Sequence, residues 1–356
     1  MKHIFRAILF LISVSSYSQD LKKADELLSA MVSDKGIVGI TAGYSIKGEL
    51  KWSNSAGYSC IDTSTPFTIN TLTRIASIAK PMTAVAVMQL VEQNLIELDK
   101  PIKTYLTNLA VKDKDDITIR QLLAHTSGIS QYFDTKEIEN SIHYSTLEEA
   151  MNVFIERPLL FKPGSSYFYT SYGYVILGKI IEEVSKMPYE EYMKINILDK
   201  ANMNNTGIEK ISETYIGKSC LYHKKKKKSK TAKQNDLSNR IPAGGYYSTL
   251  QDMLNFGNAL LENKLINKSS FELMLQHQFE QKEGNQYGLG WFFYAPKPDD
   301  NLVIGHSGEQ TGCASQIMLI PNSKTIVVVL SNSSGTWKDV VTLSSELIQL
   351  SENIKN

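Results

Sequence analysis

Arg74-Ile75-Ala76-Ser77-Ile78-Ala79-Lys80-Pro81-Met82-Thr83-Ala84 opens the stretch that decides the fold, and Val85-Ala86-Val87-Met88-Gln89-Leu90-Val91 completes it. From Ile78 to Val91 almost every position is apolar, so no polar face remains and the stretch predicts a helix buried on most sides, at the centre of the molecule. Pro81 falls in the first turn, where a missing amide hydrogen costs little, and this predicts a helix start near Ser77. Ser77 and Lys80 are three residues apart, close to one turn, so their side chains share a face and can meet. An unprotonated amine beside a hydroxyl is one of the two common ways to make a serine nucleophilic; an imidazole is the other. A serine at the mouth of a helix also lies beside orphan amides that can stabilise an oxyanion. Taken alone, Ser-x-x-Lys is short enough to arise by chance, and an N-cap serine with a solvent-facing lysine is the plain alternative.

On the N-terminal side, residues 20–33 carry apolar positions at helical spacing (Leu21, Ala24, Leu27, Leu28, Met31), and two β-like runs follow, Ile37 to Ile46 and Leu50 to Tyr58, split by Lys47-Gly48-Glu49. This predicts a helix and then a hairpin. On the C-terminal side, helical periods occupy residues 100–240 (Thr118 to Ala124, Leu147 to Phe154, Tyr172 to Val184), broken by Pro101, Pro158, Pro163-Gly164 and Pro188. A helix is expected over Thr249 to Leu261. β-like runs then return at Tyr287 to Tyr294, Gln316 to Ile320 and Ile326 to Leu330, before a closing helix over Lys338 to Leu350. Strands at both ends with helices between them predict an α/β chain of the α+β sandwich type. Its antiparallel sheet is built from both termini (about 25–99 and 245–350) and flanked by helices, and a mostly helical subdomain is inserted at about 100–244. The run Lys224 to Lys228, with Lys230 and Lys233, repels itself and predicts an exposed loop; without interleaved aromatics it reads as solvated and not as a nucleic-acid contact.

The chain has 356 residues, 42% hydrophobic and 21% charged, with a formal charge of +1. This suffices for one large core and gives no overall electrostatic commitment to nucleic acid or anionic membranes. Residues 1–18 combine Lys2 and Arg6 with the short apolar run Ile8 to Ile12 and a small, polar end at Ser13 to Ser18. The pattern predicts a cleaved export signal, with cleavage near Ser18 and residues 19–356 as the mature chain; a buried first helix and an uncleaved anchor are the alternatives. No later segment is apolar enough to span a bilayer as a helix. The three cysteines, Cys60, Cys220 and Cys313, lack metal-ligand spacing and allow at most one disulfide. No Gly-x-Ser-x-Gly, His-Glu-x-x-His or Cys-x-x-Cys occurs, which removes the usual α/β-hydrolase, metalloprotease and thiol-redox motifs. No motif implies a metal or an organic cofactor.

The segment around Ser77 resembles the nucleophile motif of the serine β-lactamase-like and penicillin-binding family, which holds class C β-lactamases, D-alanyl-D-alanine carboxypeptidases and related esterases. Further matches follow in order. Ile117 to Ile129, containing His125-Thr126-Ser127-Gly128, is similar to a structural segment of that family. Tyr169-Thr170-Ser171, after Phe161-Lys162-Pro163-Gly164, is similar to its second catalytic motif. Pro242 to Thr249 looks like its late glycine turn, and His306-Ser307-Gly308 stands at its third motif. The resemblance spans about residues 25–350. It implies that Ser77 attacks a carbonyl and forms an acyl-enzyme, with Lys80 and Tyr169 sharing the proton work. It also implies an oxyanion hole from the backbone N–H of Ser77 and Glu309, and a substrate cleft bordered by Ser171, His306, Ser307 and Gly308. His125 is expected to cap a turn and not to act as a base.

Two positions depart from the family pattern. Ser171 stands where an asparagine usually grips an acylamido group, and offers one hydroxyl in place of a carboxamide. His306 stands where true β-lactamases place a lysine for the substrate carboxylate, and with an ordinary pKa of about 6.5 it would be largely neutral at pH 7. Both changes favour peptide, ester or amide substrates over β-lactams. Tyr-Thr-Ser, the lysine-rich stretch after Tyr222 and Ser248-Thr249 leading into Asp252 to Leu260 resemble one branch in particular, the mitochondrial serine β-lactamase-like proteins of animals, regarded as peptidases. The mitochondrial address does not carry over, because residues 1–18 lack an arginine-rich amphipathic pattern.

Overall fold

The computed structural model describes residues 19–107, 114, 116–226, 228–276, 278, 286–295 and 302–353; the segment expected to be an export signal lies outside them. Helix α1 covers residues 19–33. Strands β1 (Gly39–Ile46) and β2 (Glu49–Cys60) form the expected hairpin, turning at Lys47-Gly48 with both residues at positive φ. The short strands β3 (Thr65–Pro66) and β4 (Thr73–Arg74) lead to the central helix α2 (Ala79–Glu92). Every α2 residue from Ala79 to Leu90 is buried, as a stretch without a polar face requires.

The helical region follows with α3 (Ile119–Leu123), α4 (Thr135–Ile138), α5 (Leu147–Asn152), α6 (Tyr172–Ser185) and α7 (Tyr189–Met193), and then β5 (Gly207–Ile208). Next come β6 (Tyr222–Lys225), β7 (Lys228–Thr231), α8 (Ile241–Gly244), β8 (Tyr246–Ser248), α9 (Leu250–Leu261) and α10 (Lys268–Met274). The chain closes with β9 (Gln286–Tyr287), β10 (Phe292–Ala295), β11 (Val303–Gln310), β12 (Cys313–Ile320), β13 (Thr325–Ser331), β14 (Ser333–Ser334) and α11 (Trp337–Asn353).

The main sheet has eight strands in the order β3-β2-β1-β13-β12-β11-β10-β9, with every pairing antiparallel, so strands from both ends of the chain meet at the β1–β13 seam. Strand β13 shows why its sequence is apolar throughout. Ile326, Val328 and Leu330 face the core shared with α2, α6 and α9, while Val327 and Val329 face a second core under α1 and α11. A strand covered on both faces loses the usual polar alternation.

The lysine-rich run differs from the expected loop. Residues 222–225 and 228–231 pair as the β6–β7 hairpin, and β6 adds in parallel to β14. Buried Tyr222 anchors the hairpin, its hydroxyl accepting from the Ile61 amide at 2.7 Å, while the lysine side chains at 225, 226, 228 and 230 stay exposed. A disulfide joins Cys60 to Cys220 just before β6, and Cys313 is free and buried. Among the described residues no helix is long and apolar enough to cross a membrane.

Candidate active site

Ser77 does not open α2 as a regular helical residue. It sits in a 3-10 turn, Ala76–Ile78, between β4 and α2. Ala76 holds φ at +47°, a left-handed value that costs a non-glycine residue on the order of 1 kcal/mol or more and persists only where the surroundings impose it. They do so here. Arg74 is wholly buried and donates to both Glu209 carboxylate oxygens (2.9 and 2.7 Å), to Asn235 Oδ1 (2.7 Å) and to the Thr311 carbonyl (2.9 Å). The Ile75 amide donates to the Tyr246 carbonyl of β8 at 3.1 Å, and Ser315 Oγ donates to the Ile75 carbonyl at 2.7 Å. Ser77 itself stays partly open to solvent.

Lys80 Nζ lies 3.0 Å from Ser77 Oγ, 3.2 Å from Ser171 Oγ and 3.2 Å from the Ala243 carbonyl. It is completely buried, and among the described residues no carboxylate pairs with it. Burial drives its pKa well below the ordinary lysine value, and the Arg240 guanidinium pushes the same way. Tyr169 shares a hydrogen bond with Ser77, and its ring lies under the Lys80 amine, 4.8 Å from Nζ to the centroid. Burial pushes its phenol well above the usual range, outweighing the Ser77 hydrogen bond.

Ser171 occupies the N-cap of α6, where a serine side chain ordinarily accepts from the first turn and contributes about 1 kcal/mol. It makes no such cap bond, because Oγ is turned toward Lys80 and Gln131. Gln131 is a residue that no sequence motif marks. Its Oε1 accepts from the Ser171 amide at 3.1 Å and its Nε2 donates to Ser171 Oγ at 3.3 Å, so a carboxamide reaches the spot that Ser171 leaves short.

Strand β11 forms the opposite side. Strand β10 pairs with it as far as Gly305, so among the described residues no strand covers the edge from His306 onward, which packs against the 3-10 turn of Ser77. A Cβ at position 308 would lie 2.6 Å from the Ile75 carbonyl oxygen and 2.9 Å from Ala76 Cβ, which is why glycine stands there. The two-residue turn Thr311-Gly312 closes on the pair Gln310–Cys313, so along the ladder Glu309 and Ser307 fall at the non-hydrogen-bonded positions, with N–H groups directed to the open edge.

The side chains of this motif are placed differently from the expectation. Ser307 and Glu309 point to the other face of the sheet: Ser307 bonds Tyr294, and the Glu309 carboxylate accepts from the Gly335 and Thr336 amides ahead of α11. His306 is on the Ser77 side but wholly buried, with Nε2 3.1 Å from the Tyr287 hydroxyl and Nδ1 2.6 Å from the Ser307 carbonyl. Its ring is thus a floor under Tyr169, with centroids 6.1 Å apart, and not a group presented to a ligand. Burial, reinforced by Lys80, pushes its pKa from the ordinary value down to about 3, so it is neutral for a stronger reason than its sequence suggests.

The Beta-lactamase family model matches residues 24–348. The serine beta-lactamase-like protein LACTB, mitochondrial, of Homo sapiens is 25% identical over 86% of this chain and 73% of its own length. The teichoic acid D-alanine hydrolase of Staphylococcus aureus is 27% identical over 88% of this chain and 74% of its own. Among solved structures, the octameric penicillin-binding protein homologue from Pyrococcus abyssi superposes with a TM-score of 0.81 at 28% identity, covering 95% of this chain and 79% of that one. With fold, family match and the ordered site motifs in agreement, this chain belongs to the Beta-lactamase family of serine hydrolases.

Proposed function

We propose that the protein is an acyl-transferring hydrolase of peptides, amides or esters in which Ser77 is the nucleophile and Lys80 its base. The observation that carries this reading is the isolated, wholly buried Lys80 amine 3.0 Å from Ser77 Oγ. Burial of both groups favours the uncharged amine and the uncharged phenol, so the division of labour between Lys80 and Tyr169 follows: the amine accepts and the phenol donates. The Ser77 proton passes to Lys80 as Oγ bonds to the substrate carbonyl carbon. The oxyanion is held by the Ser77 amide and the outward-facing Glu309 amide. Collapse breaks the bond to the leaving group, which takes the Tyr169 proton, and the Lys80 ammonium then reprotonates Tyr169. Water repeats the sequence on the acyl-enzyme.

Substrate class follows from the charges. Neutral His306 supplies no cation for a substrate carboxylate, and the nearby Arg240 is occupied by the carbonyls of Glu137 and Ile138 and by the Tyr132 ring, 4.4 Å away. This favours acyl donors without an essential carboxylate, in line with a relative named for removing D-alanine from teichoic acid. An oxidising, exported setting is supported by the Cys60–Cys220 disulfide. A fluorescent alkyl fluorophosphonate, from which Ser77 Oγ displaces fluoride, tests the chemistry: the purified protein should label once per chain, and Ser77→Ala should not label. Persistent labelling of that variant would move the nucleophile elsewhere.

A further inference from the structure

We propose that His125 is a positioning residue that holds Tyr169 in register with Ser77; the inference rests on the catalytic reading of Tyr169 given above. Helix α3 begins at a capping box between Thr118 and Gln121 and ends at Ala124. His125 then adopts φ of +60°, the Thr126 amide donates to the Gln121 carbonyl at 2.9 Å, and the His125 amide reaches the Leu122 carbonyl at 3.4 Å. This is the helix-ending motif whose left-handed position is usually glycine. A histidine there carries a conformational cost that the turn itself does not require, and the compensation lies in its ring and carbonyl.

Both grip the segment that carries Tyr169. The Phe168 amide donates to the His125 carbonyl at 2.9 Å, and the Thr170 amide donates to His125 Nδ1 at 3.2 Å. The two residues flanking Tyr169 are therefore tied to one residue, across 45 positions of sequence. Between these ties the imidazole packs against the Tyr169 ring, centroids 4.3 Å apart and planes tilted by 43°, and it also meets Tyr174 and Tyr287 at 5.3 and 4.7 Å. The ring is wholly buried. An Nδ1 that accepts a backbone N–H leaves the proton on Nε2, so only the neutral ring can make this tie, and burial next to Lys80 keeps it neutral. Thr170 Oγ1 adds a third tie to the Ser130 carbonyl at 2.7 Å.

The test compares His125→Gly, which suits the left-handed backbone but lacks an acceptor, with His125→Asn, which tolerates that backbone and keeps a side-chain acceptor. Each is made in the native chain and in a Tyr169→Phe background, and phosphonate acylation of Ser77 is resolved into its maximal rate and its half-saturating concentration. Tyr169→Phe should slow acylation by about 10²-fold or more. His125→Gly should slow the maximal rate by roughly 10-fold to 10²-fold with half-saturation changed less than about 3-fold, the range expected when a reacting group is misplaced by about 1 Å. Asparagine should recover a large part of that loss. In the Tyr169→Phe background the glycine substitution should cost less than about 3-fold, since its effect passes through the missing hydroxyl. Equal losses in both backgrounds, or no difference between Asn and Gly, would overturn the role of His125 while leaving Tyr169 in place. Undiminished acylation by Tyr169→Phe alone would instead remove Tyr169 from the chemistry, and His125 with it. Should the glycine variant fail to fold, His125→Ala, which also lacks a side-chain acceptor, takes its place against asparagine in both backgrounds.

Discussion

Arg74 and Lys80 lie three residues to either side of Ser77, and both side chains are wholly buried, yet their surroundings are opposite. All five Arg74 N–H donors are taken, two of them by the Glu209 carboxylate, which Lys218 also contacts at 2.8 Å. Burial alone would raise the Glu209 pKa, but Arg74 and Lys218 outweigh it and hold the carboxyl below its usual value. Among the described residues Lys80 meets two hydroxyls, a carbonyl and aromatic rings, and no carboxylate. Equal burial therefore gives a permanently charged anchor on one side of the nucleophile and an uncharged base on the other. The difference lies in whether a carboxylate was buried with the cation.

The sharpest way to break this contrast is Lys80→Met. Phosphonate labelling of Ser77 should fall by at least about 10³-fold, since the proton acceptor is lost. Stability should not fall with it. In the unfolded chain Lys80 binds a proton up to its ordinary pKa, while in the folded chain it releases the proton far lower. Between the two the unfolded state holds more protons, and native stability rises with pH. The methionine variant should match or exceed the native protein in urea titrations near pH 7, with the gap narrowing toward pH 10. A variant that is both inactive and much less stable would mean that Lys80 is an anchor after all.

Arg74→Met should do the reverse, lowering unfolding free energy by about 3–5 kcal/mol by leaving Glu209 buried with one partner fewer. Adding Glu209→Met should restore a good part of it, and no restoration in denaturant titrations would refute the pairing argument. The smallest effect is expected at His306. With its pKa pushed down to about 3, it should contribute no inflection to kcat/KM between pH 5 and 8, and the expected rise of activity with pH is assigned to deprotonation of Lys80. His306→Asn should keep the midpoint of that rise, measured on any acyl substrate the protein turns over; a displaced midpoint would return His306 to the titrating machinery.

Much of this was legible in the sequence where the determining contacts are local. The Ser77–Lys80 meeting follows from a three-residue spacing, and burial of α2 follows from a stretch with no polar face. Order along the chain located Tyr169 and His306 but not their states. The neutrality of His306 comes from its burial against Tyr287 and from the nearby Lys80 amine, a tertiary fact. Gln131 and the grip of His125 on residues 168 and 170 were illegible for the same reason: each contact spans about 40 residues, and no period encodes it. The lysine run misled because repulsion between its side chains says nothing about its backbone, which β14 and the nearby disulfide hold in a ladder.

That disulfide has a practical consequence. With Cys60 and Cys220 joined and Cys313 sealed in the core, its sulfur turned to the Arg74 carbonyl, the folded protein presents no thiol to a reagent in solution. A single cysteine introduced on an exposed hairpin lysine would then be the sole attachment point for a dye or spin label, without first editing the native cysteines.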